Sequence, residues 1–388
     1  MHEFHLPFGP QHPALAEPIH LKLKVDGETV KDIEFSVGYN HRGIERGLEE
    51  HTWIKSIYLS ERICGICSNA HQSCFCQGIE KLLGIEIPDR AKYIRTIISE
   101  LERIQSHMLW LALSGYEIGL DTIFHYVWRD REIVNEILER VSGNRIVNSM
   151  NTIGGVRRDF HLKEIKRAEE DLDKLEQRIE YYLNVFNKDV LIKKRLKNIG
   201  FLHKFKAKEL NVVGPMARGS GINYDVRNNE MESFVYKELK FKPVIEEKGD
   251  VFSRSIVRIK EILESIRLVQ EALIELPEGE IKVKVPRILP KKESISRVEA
   301  PRGELFYYIK SNGEKPYRVK IRTPTYANII SLPYMMKNQQ VADIPIILVS
   351  LDPCIACCDR MTIVDLKTNK EKILTREEIR KMRINNDK

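Results

Sequence analysis

Two stretches decide the fold of this chain: Arg62-Ile-Cys64-Gly-Ile-Cys67-Ser-Asn-Ala-His71 and Asp352-Pro-Cys354-Ile-Ala-Cys357-Cys358-Asp-Arg360. The chain has seven cysteines, of which four lie between positions 64 and 76 and three between positions 354 and 358. Thiols scattered through a hydrophobic core would not cluster in this way. The clusters therefore predict one metal site that draws the two ends of the chain together.

The composition is that of a folded globular protein. Of the 388 residues, 42% are hydrophobic and 31% are charged, and this length is sufficient for a large core. The net charge is +7, but the 63 basic residues are interspersed with 56 acidic ones instead of forming a basic stripe. Nucleic-acid binding is therefore not expected.

The sequence predicts no secretory signal and no direct membrane span. The first residues lack a basic start followed by an apolar core, and the apolar run 344–349 is too short to cross a bilayer. Any membrane association is expected to come through partner subunits. An odd number of cysteines in two tight clusters favours metal binding in a reducing compartment over a disulfide framework.

Hydrophobic periodicity predicts a mainly α-helical fold with small peripheral β-sheets (α+β). Apolar residues recur every three or four positions from residue 89 to about 143, from about 163 to 197 and from about 254 to 276. Alternating apolar residues predict two hairpins, one turning at Asp26-Gly27 and the other at Ser311-Asn-Gly313.

Residues 1–360 are expected to form one intertwined domain, because no repeat or long linker interrupts them. The charged segment 361–388 is expected to be a separate C-terminal extension. Within it, Val364 and Leu366 are candidates for a strand, and Thr375-Arg-Glu-Glu has the pattern of a helix start.

The two Cys-x-x-Cys pairs supply four thiolates, which select zinc, nickel, iron or an iron–sulfur cluster. A structural zinc site is the simplest interpretation. Two features weaken it: the pairs are separated by most of the chain, whereas zinc loops are usually local, and the flanking Arg62 and Asp352-Pro353 have no role in a zinc site. His71 also lies close enough to donate an N–H group to a thiolate.

With these flanks, the cysteine pairs resemble the large subunit of nickel–iron hydrogenases. The pattern Arg-x-Cys-Gly-x-Cys-x-x-x-His with Asp-Pro-Cys-x-x-Cys is highly specific, and the resemblance extends from Gly9 to Arg360. More narrowly, the chain resembles the energy-converting, membrane-associated group, which is related to the quinone-reducing subunit of respiratory complex I. Gly9-Pro-Gln-His-Pro-Ala14 and His41-Arg-Gly43 are similar in kind to that subunit. The complex I relatives lack the four cysteines, so their presence favours a hydrogenase.

The resemblance implies a nickel–iron hydrogenase large-subunit-like fold with a central bundle of long helices. It also implies a Ni–Fe centre in which Cys64 and Cys354 are terminal ligands of nickel. Cys67 and Cys357 would bridge nickel to an iron that carries carbonyl and cyanide ligands.

Splitting hydrogen requires an electrophilic metal and a nearby base that takes the proton. Cys354 is a candidate for that base, and the resemblance makes Glu17 the proton-transfer acid. In Val298-Glu-Ala-Pro301-Arg302-Gly-Glu304, the arginine and the proline before it are expected beside the open side of the metals, with the arginine paired to Asp352. Otherwise, Glu17 would be a solvated loop acid and Arg302 a surface arginine.

Arg62, His71 and Glu45 belong to motifs of the same family. Arg62 and His71 are expected beside the cofactor, and Arg62 and Glu45 near the exit for electrons. A structural ion pair explains Glu45 and Arg62 equally well.

The sequence departs from soluble uptake hydrogenases, which are clipped by a protease soon after a histidine that follows the second pair. Here Cys358-Asp-Arg360 follows, and the chain continues. If cleavage occurs during maturation, it would fall after Arg360 and remove residues 361–388; if it does not, the extension stays. Cys358 stands where a small hydroxyl residue is expected, and Cys74 and Cys76 have no family role.

Cys74, Cys76 and Cys358 are one short of the four cysteines that an iron–sulfur cluster prefers. We therefore expect no iron–sulfur cluster in this chain and a partner small subunit that carries such clusters. The resemblance implies ferredoxin-like and antiporter-like integral membrane partners, and a cytoplasmic position, peripheral on the inner face of the cell membrane.

Three functions compete at this point. The first is an energy-converting hydrogenase that couples ferredoxin oxidation and proton reduction, or the reverse, to ion movement. The second is a complex I-like electron-transfer or quinone-site subunit that lacks hydrogenase activity. The third is a scaffold protein held together by zinc.

Overall fold

A computed structural model describes residues 3–228, 231–358, 363–365 and 370–372. In chain order, the helices are α1 (Ile44–Glu50), α2 (Trp53–Glu61), α3 (Ser68–Leu83), α4 (Asp89–Glu117), α5 (Asp121–Ser142), α6 (Leu162–Lys188), α7 (Val190–Leu196), α8 (Lys204–Glu209), α9 (Pro215–Arg218), α10 (Val251–Ile274), α11 (Pro324–Asn328), α12 (Leu332–Met336) and α13 (Ile344–Leu351). The strands are β1 (Glu3–Phe8), β2 (His20–Asp26), β3 (Thr29–Ser36), β4 (Asn151–Thr152), β5 (Gly155–Val156), β6 (Glu293–Ala300), β7 (Gly303–Ser311), β8 (Pro316–Arg322), β9 (Ile363–Asp365) and β10 (Lys370–Lys372).

A bundle of the four longest helices forms the core, with α4 at its centre. Helix α4 packs against α5 and α10, and α6 packs against the same two helices. Every residue of α4 from Ile94 to Met108 is buried, so its polar face is covered as well as its apolar face. The charged side chains on that face must therefore find partners inside the protein.

Two of the predicted helical runs are interrupted. The run from residue 89 to about 143 is two helices, because Gly119 adopts a left-handed conformation (φ 81°) between α4 and α5. The predicted helix from 163 to 197 ends at Asp189, whose side chain accepts a hydrogen bond from the Ile192 N–H and so begins α7. The third run corresponds to α10, which begins early because Asp250 caps it.

Antiparallel sheets lie outside the bundle. The predicted N-terminal hairpin is β2–β3, with a register shift between Lys24 and Val25, and β1 adds a strand that the sequence analysis did not predict. The predicted late hairpin is β7–β8, and β6 pairs with β7. Val364 lies in the predicted strand as part of β9, whereas Leu366 and Thr375 lie outside the described residues. A mainly helical fold with small sheets is confirmed.

The fold brings both cysteine stretches to one place. The first stretch joins α2 to α3, and α3 packs against β6 and β7. The second stretch follows α13, which packs against α4. Within the described ranges, no helix is both long enough and apolar enough to cross a bilayer.

Candidate metal centre

Four cysteine sulfurs from the two ends of the chain meet in the interior. The Sγ atoms of Cys64 and Cys354 are 3.3 Å apart, and those of Cys67 and Cys357 are 3.9 Å apart. Thiolates that surround one ion at about 2.3 Å are separated by roughly 3.8 Å. All four side chains are buried, and His71 joins Cys67 and Cys357 in a second group with metal-ligand spacing.

Backbone hydrogen bonds shape each cysteine loop. The Cys64 sulfur accepts from the N–H groups of Ile66 and Cys67, at 3.3 Å each, which turns the first loop back toward its own start. In the second loop, the Thr325 hydroxyl accepts from the Cys354 N–H at 3.1 Å, and the Thr323 hydroxyl donates to the Cys357 carbonyl at 3.0 Å. Both threonines lie at the start of α11, so this helix orients the second loop.

The side chain of Arg42 connects the two loops. Its guanidinium donates to the carbonyls of Arg62 (3.1 Å) and Ile63 (2.6 Å) in the first loop, and to the carbonyl of Ala356 (3.2 Å) in the second. The sequence analysis placed Arg42 in a family motif but gave it no role. Only membership of that motif could have pointed to it, because its partners are backbone atoms.

Electrostatics show what the cluster requires. Hydrogen bonds from neighbouring thiols, first of all Cys354, lower the pKa of Cys64 well below its usual value. The hydrogen bond between Cys357 and Cys354 contributes most to a pKa of Cys357 well above the usual value, and burial adds to it. A second negative charge next to the first is therefore unfavourable, and four thiolates require a cation. The four sulfurs thus fit a soft divalent metal or a Ni–Fe pair.

His71 connects the cluster to the sheet. Its Nε2 atom lies 3.6 Å from the Cys357 sulfur, and its Nδ1 atom lies 2.8 Å from the Tyr307 hydroxyl on β7. Burial lowers the pKa of His71 to about 4, so the ring is neutral at neutral pH. The predicted contact between this imidazole and a thiolate is present.

Arg302 lies at the turn between β6 and β7, next to the buried Pro301. Its Nη2 atom donates to the Asp352 carboxylate at 2.8 Å, and its Nε atom donates to the Asp352 carbonyl at 2.8 Å. A third contact, at 3.4 Å, joins Nη1 to the Ser106 hydroxyl of α4. The predicted pairing of Arg302 with Asp352 is therefore present, and it fixes the start of the second cysteine loop.

Glu17 reaches the second loop from the segment between β1 and β2. Its carboxylate accepts a hydrogen bond from the Ala356 N–H at 2.6 Å. Burial raises the pKa of Glu17, although the Ala356 N–H opposes this shift. Glu17, Trp110, Arg302 and Asp352 line one cleft of about 70 Å³, together with apolar side chains. Glu17 is therefore not a freely solvated loop acid.

Two family models match the sequence. "Respiratory-chain NADH dehydrogenase, 49 Kd subunit" matches residues 117–294 and 286–360, and "Nickel-dependent hydrogenase" matches residues 42–117. The alpha subunit of the membrane-bound hydrogenase of Pyrococcus furiosus is 40% identical, over 99% of this chain and 93% of that protein. The chain belongs to the family that unites hydrogenase large subunits with the 49 kDa subunits of respiratory NADH dehydrogenase.

Other members of this family differ in the reactions that their names describe. The carbon monoxide-induced hydrogenase of Rhodospirillum rubrum is 38% identical, over 93% of this chain and 100% of that protein. A subunit of the NADH-quinone oxidoreductase of Koribacter versatilis is 35% identical, over 92% of this chain and 95% of that protein. Family membership thus makes the chain part of an oxidoreductase. It does not distinguish a hydrogenase from a subunit of a quinone-reducing enzyme.

The predicted hydrogenase-family fold is confirmed by a solved structure, that of the membrane-bound sulfane sulfur reductase, "an archaeal respiratory membrane complex". It superposes with a TM-score of 0.88 at 31% identity, covering 92% of this chain and 98% of the matched chain. This relative is thus part of a respiratory membrane complex.

The remaining family-motif residues make structural contacts. Arg62 pairs with Glu61, and Glu45 pairs with Lys320 at 3.2 Å while accepting from the Ile321 N–H at 3.1 Å. These contacts fit the structural interpretation that the sequence left open, and a role near the electron exit stays a prediction.

The other three cysteines have separate contacts. Cys74 lies 3.4 Å from the Ser296 hydroxyl, and burial raises its pKa to about 12. Cys76 is buried too. The Cys358 thiol donates to the Cys354 carbonyl at 3.9 Å.

Proposed function

We propose that this chain is the catalytic subunit of an energy-converting nickel–iron hydrogenase. It forms or oxidises H2 and exchanges electrons with ferredoxin through a partner iron–sulfur subunit. The observation that carries the proposal is the convergence of four buried cysteine sulfurs beside a half-buried acid, Glu17, and a buried arginine, Arg302. A structural zinc site needs the sulfurs but neither of the other two groups.

In this proposal Cys64, Cys67, Cys354 and Cys357 hold a Ni–Fe centre whose iron carries carbonyl and cyanide. When bound, the centre supplies the Lewis acidity and the redox capacity for splitting hydrogen into protons and electrons. Residues of the chain handle the proton. The Glu17 carboxylate is hydrogen-bonded to Ala356, two residues beyond Cys354, and this contact supports proton transfer between Glu17 and the candidate base.

The raised pKa of Glu17 suits proton transfer, because a carboxyl whose pKa lies nearer neutrality accepts and releases a proton more readily. Arg302 holds positive charge beside the sulfurs and fixes Asp352 through two hydrogen bonds. His71 and Pro301 complete the surroundings of the cofactor, and Arg62 lies toward the electron exit.

The proposal includes the assembly. Residues 1–360 form the catalytic domain, and residues 361–388 form an extension that is removed on maturation. An iron–sulfur small subunit, ferredoxin-like subunits and antiporter-like membrane subunits hold the chain on the cytoplasmic face of the membrane. Two relatives support this arrangement, because one belongs to a respiratory membrane complex and the other is a subunit of a membrane-bound hydrogenase.

A second function is favoured by one observation: the family model for the 49 kDa subunit of NADH dehydrogenase matches more of the chain than the hydrogenase model does. In that case the chain is an electron-transfer or quinone-site subunit, and its cysteines hold zinc or no metal.

Metal analysis and isotope exchange of the purified complex separate these functions. The hydrogenase proposal predicts nickel and iron in equal amounts, infrared bands from carbonyl and cyanide, and H2/D2O exchange that persists without quinone. Zinc alone, or exchange activity that is absent in a fully metallated complex, would refute it.

A further inference from the structure

The helix that follows the first cysteine pair has an unusual N-terminus. Helix α3 begins at Ser68, and Cys67 occupies its N-cap position without making a side-chain capping hydrogen bond. The Cys67 sulfur instead faces Cys357 in the cluster. Because the first N–H groups of a helix have no partners within the helix, α3 needs an acceptor from elsewhere.

Glu102 of α4 supplies that acceptor. Its Oε1 atom accepts from the Asn69 N–H at 2.6 Å, and its Oε2 atom accepts from the Ala70 N–H at 3.0 Å. The Ser68 hydroxyl lies 3.3 Å from Oε1. Asn69 and Ala70 are the second and third residues of the helix, whose N–H groups an N-cap side chain normally serves. One carboxylate therefore satisfies both donors.

We propose that Glu102 is a positioning residue for the metal centre, because it caps α3 in place of Cys67 and leaves the Cys67 sulfur free to bind metal. The inference rests on the proposed function only in that the four cysteines bind a metal. It does not depend on which metal they bind or on which reaction follows.

The first turn of α3 carries two of the groups that line the cluster, Cys67 and His71. The His71 N–H donates to the Cys67 carbonyl at 3.3 Å, and its ring approaches Cys357. Without Glu102, two buried N–H groups would lack partners, and the turn would shift or open to water. Either change moves Cys67 and His71 together.

Helix α10 offers a matched comparison. Asp250 caps it from the ordinary N-cap position by accepting from the Ser253 N–H at 2.8 Å, and it is buried like Glu102. Asp250→Ala therefore removes a buried carboxylate cap from a core helix that carries no metal ligand. Loss of a cap that only stabilises its helix should leave metal binding by the cysteine sulfurs unchanged. Loss of a cap that positions Cys67 should weaken that binding.

The test is anaerobic titration of the full-length, metal-free chain with Co²⁺, followed through sulfur-to-cobalt charge-transfer absorption. Glu102→Ala is expected to weaken Co²⁺ binding by about 10- to 100-fold and to change the charge-transfer band. Glu102→Gln offers one acceptor for two donors, so an intermediate loss is expected. Asp250→Ala is expected to lower the denaturation midpoint but to keep the affinity and spectrum of the original chain.

Wild-type affinity and an unchanged spectrum in Glu102→Ala would overturn the inference. If that variant does not fold, as judged by circular dichroism, Glu102→Gln decides, and wild-type affinity with an unchanged spectrum overturns the inference there too. If the unmodified chain shows no cobalt–thiolate absorption, both this inference and the proposed metal centre fail. Loss of binding in the Glu102 variants alone supports the inference even in a protein without hydrogenase activity.

Discussion

The surroundings of Glu17 in the folded chain are not evident from its neighbours in the sequence. It lies in an irregular segment between two strands, yet its side chain is hydrogen-bonded to the backbone of the second cysteine loop, far along the chain. Burial raises its pKa, so the proton that it binds is held more tightly than on an exposed glutamate.

Glu17→Gln tests the proton role directly. The amide oxygen can still accept from the Ala356 N–H, but the side chain can no longer carry a proton. Metal content is therefore expected to stay the same, while H2/D2O exchange falls by about 100-fold. Metal analysis and isotope exchange on the same preparation provide the measurement.

The control is Glu34→Gln, at an exposed glutamate on β3 that pairs with Lys22 at the surface. It should leave both values unchanged. An exchange rate in Glu17→Gln equal to that of the control would show that the proton uses another path.

At the residue scale, the sequence predicts side chains that belong to motifs and misses those whose partners are backbone atoms. The four cysteines and the pairing of Arg302 with Asp352 follow from recognisable patterns, and the structure brings these residues together. Arg42 and Glu102 were not assigned, because each bonds to backbone groups that nearly all residue types possess. No residue type or spacing marks such contacts in advance.

At the scale of elements, α4 and α10 are joined by charge as well as by apolar packing. His107 on α4 and Arg218 on α9 both contact Glu261 of α10, at 2.8 Å and 2.7 Å. Arg218 also pairs with Glu299, which is the penultimate residue of β6 and lies close to the turn that carries Arg302. Removing one partner from such a buried pair is costly because the other charge is left unpaired.

His107 gives this network a pH dependence. Burial lowers the pKa of His107 from 6.5 to about 4, which outweighs the opposing contact with Glu261. The unfolded chain therefore takes up this proton first, and the stability present above pH 6.5 is lost as the pH falls toward 4.

His107→Gln removes that proton uptake. The variant is expected to be less stable than the original chain near neutral pH, with the difference shrinking by on the order of 1–2 kcal/mol by about pH 5. Urea denaturation midpoints at the two pH values provide the measurement. A stability difference that does not change with pH would contradict the assignment.

Two glycines set the position of Arg302. Gly214 occupies the N-cap position of α9 with φ 68°, and a Cβ atom there would lie 2.4 Å from the Arg302 carbonyl oxygen. Gly303 faces it, and a Cβ atom at that position would lie 2.7 Å from the Gly214 nitrogen. The turn that carries Arg302 therefore requires glycine on both sides of the contact.

Gly214→Ala is expected to cost about 2 kcal/mol or more, because both the left-handed backbone and the clash oppose alanine. Gly84→Ala is a control for positive φ alone: Gly84 has φ 64° in the left-handed helical region, and no atom lies within 4 Å of the added methyl group. That control should cost only about 1 kcal/mol. Equal shifts in the denaturation midpoints would show that the contact with Arg302 does not matter.

Periodicity predicts where helices lie but not where they stop. The breaks at Gly119 and Asp189 depend on one backbone conformation and one capping side chain, and both fall within otherwise helical patterns. Strands β1 and β6 were missed because their place is set by pairing with distant strands. Likewise, the buried polar face of α4 resembles a solvated face in sequence, since only tertiary packing covers it.

For the molecule as a whole, the proposed metal must reach cysteines that are buried in the folded chain. The four cysteines are buried, and the second loop is followed closely in sequence by the charged segment 361–388. In the proposed function, metal would have to enter while that loop lies away from the first, before the four cysteines are buried.

We therefore expect the metal-free chain to retain residues 361–388 and the metal-loaded chain to end at Arg360. Intact mass spectrometry of both forms, combined with metal analysis, measures this directly. A fully loaded chain that retains residues 361–388 would show that the extension is permanent and that the loop closes without cleavage.

The contact between Cys64 and Cys354 joins positions that are 290 residues apart. A metal bound by both would act as a cross-link that closes a loop of this size, and the chain-entropy treatment of cross-links gives roughly 5–6 kcal/mol for such a closure. Most of that stabilisation comes from the unfolded chain, which loses freedom when its ends are tied. The metal is thus expected to cross-link the two ends of the chain. This cross-link can form only after nearly the whole chain, including Cys354, has been synthesised and released from the ribosome.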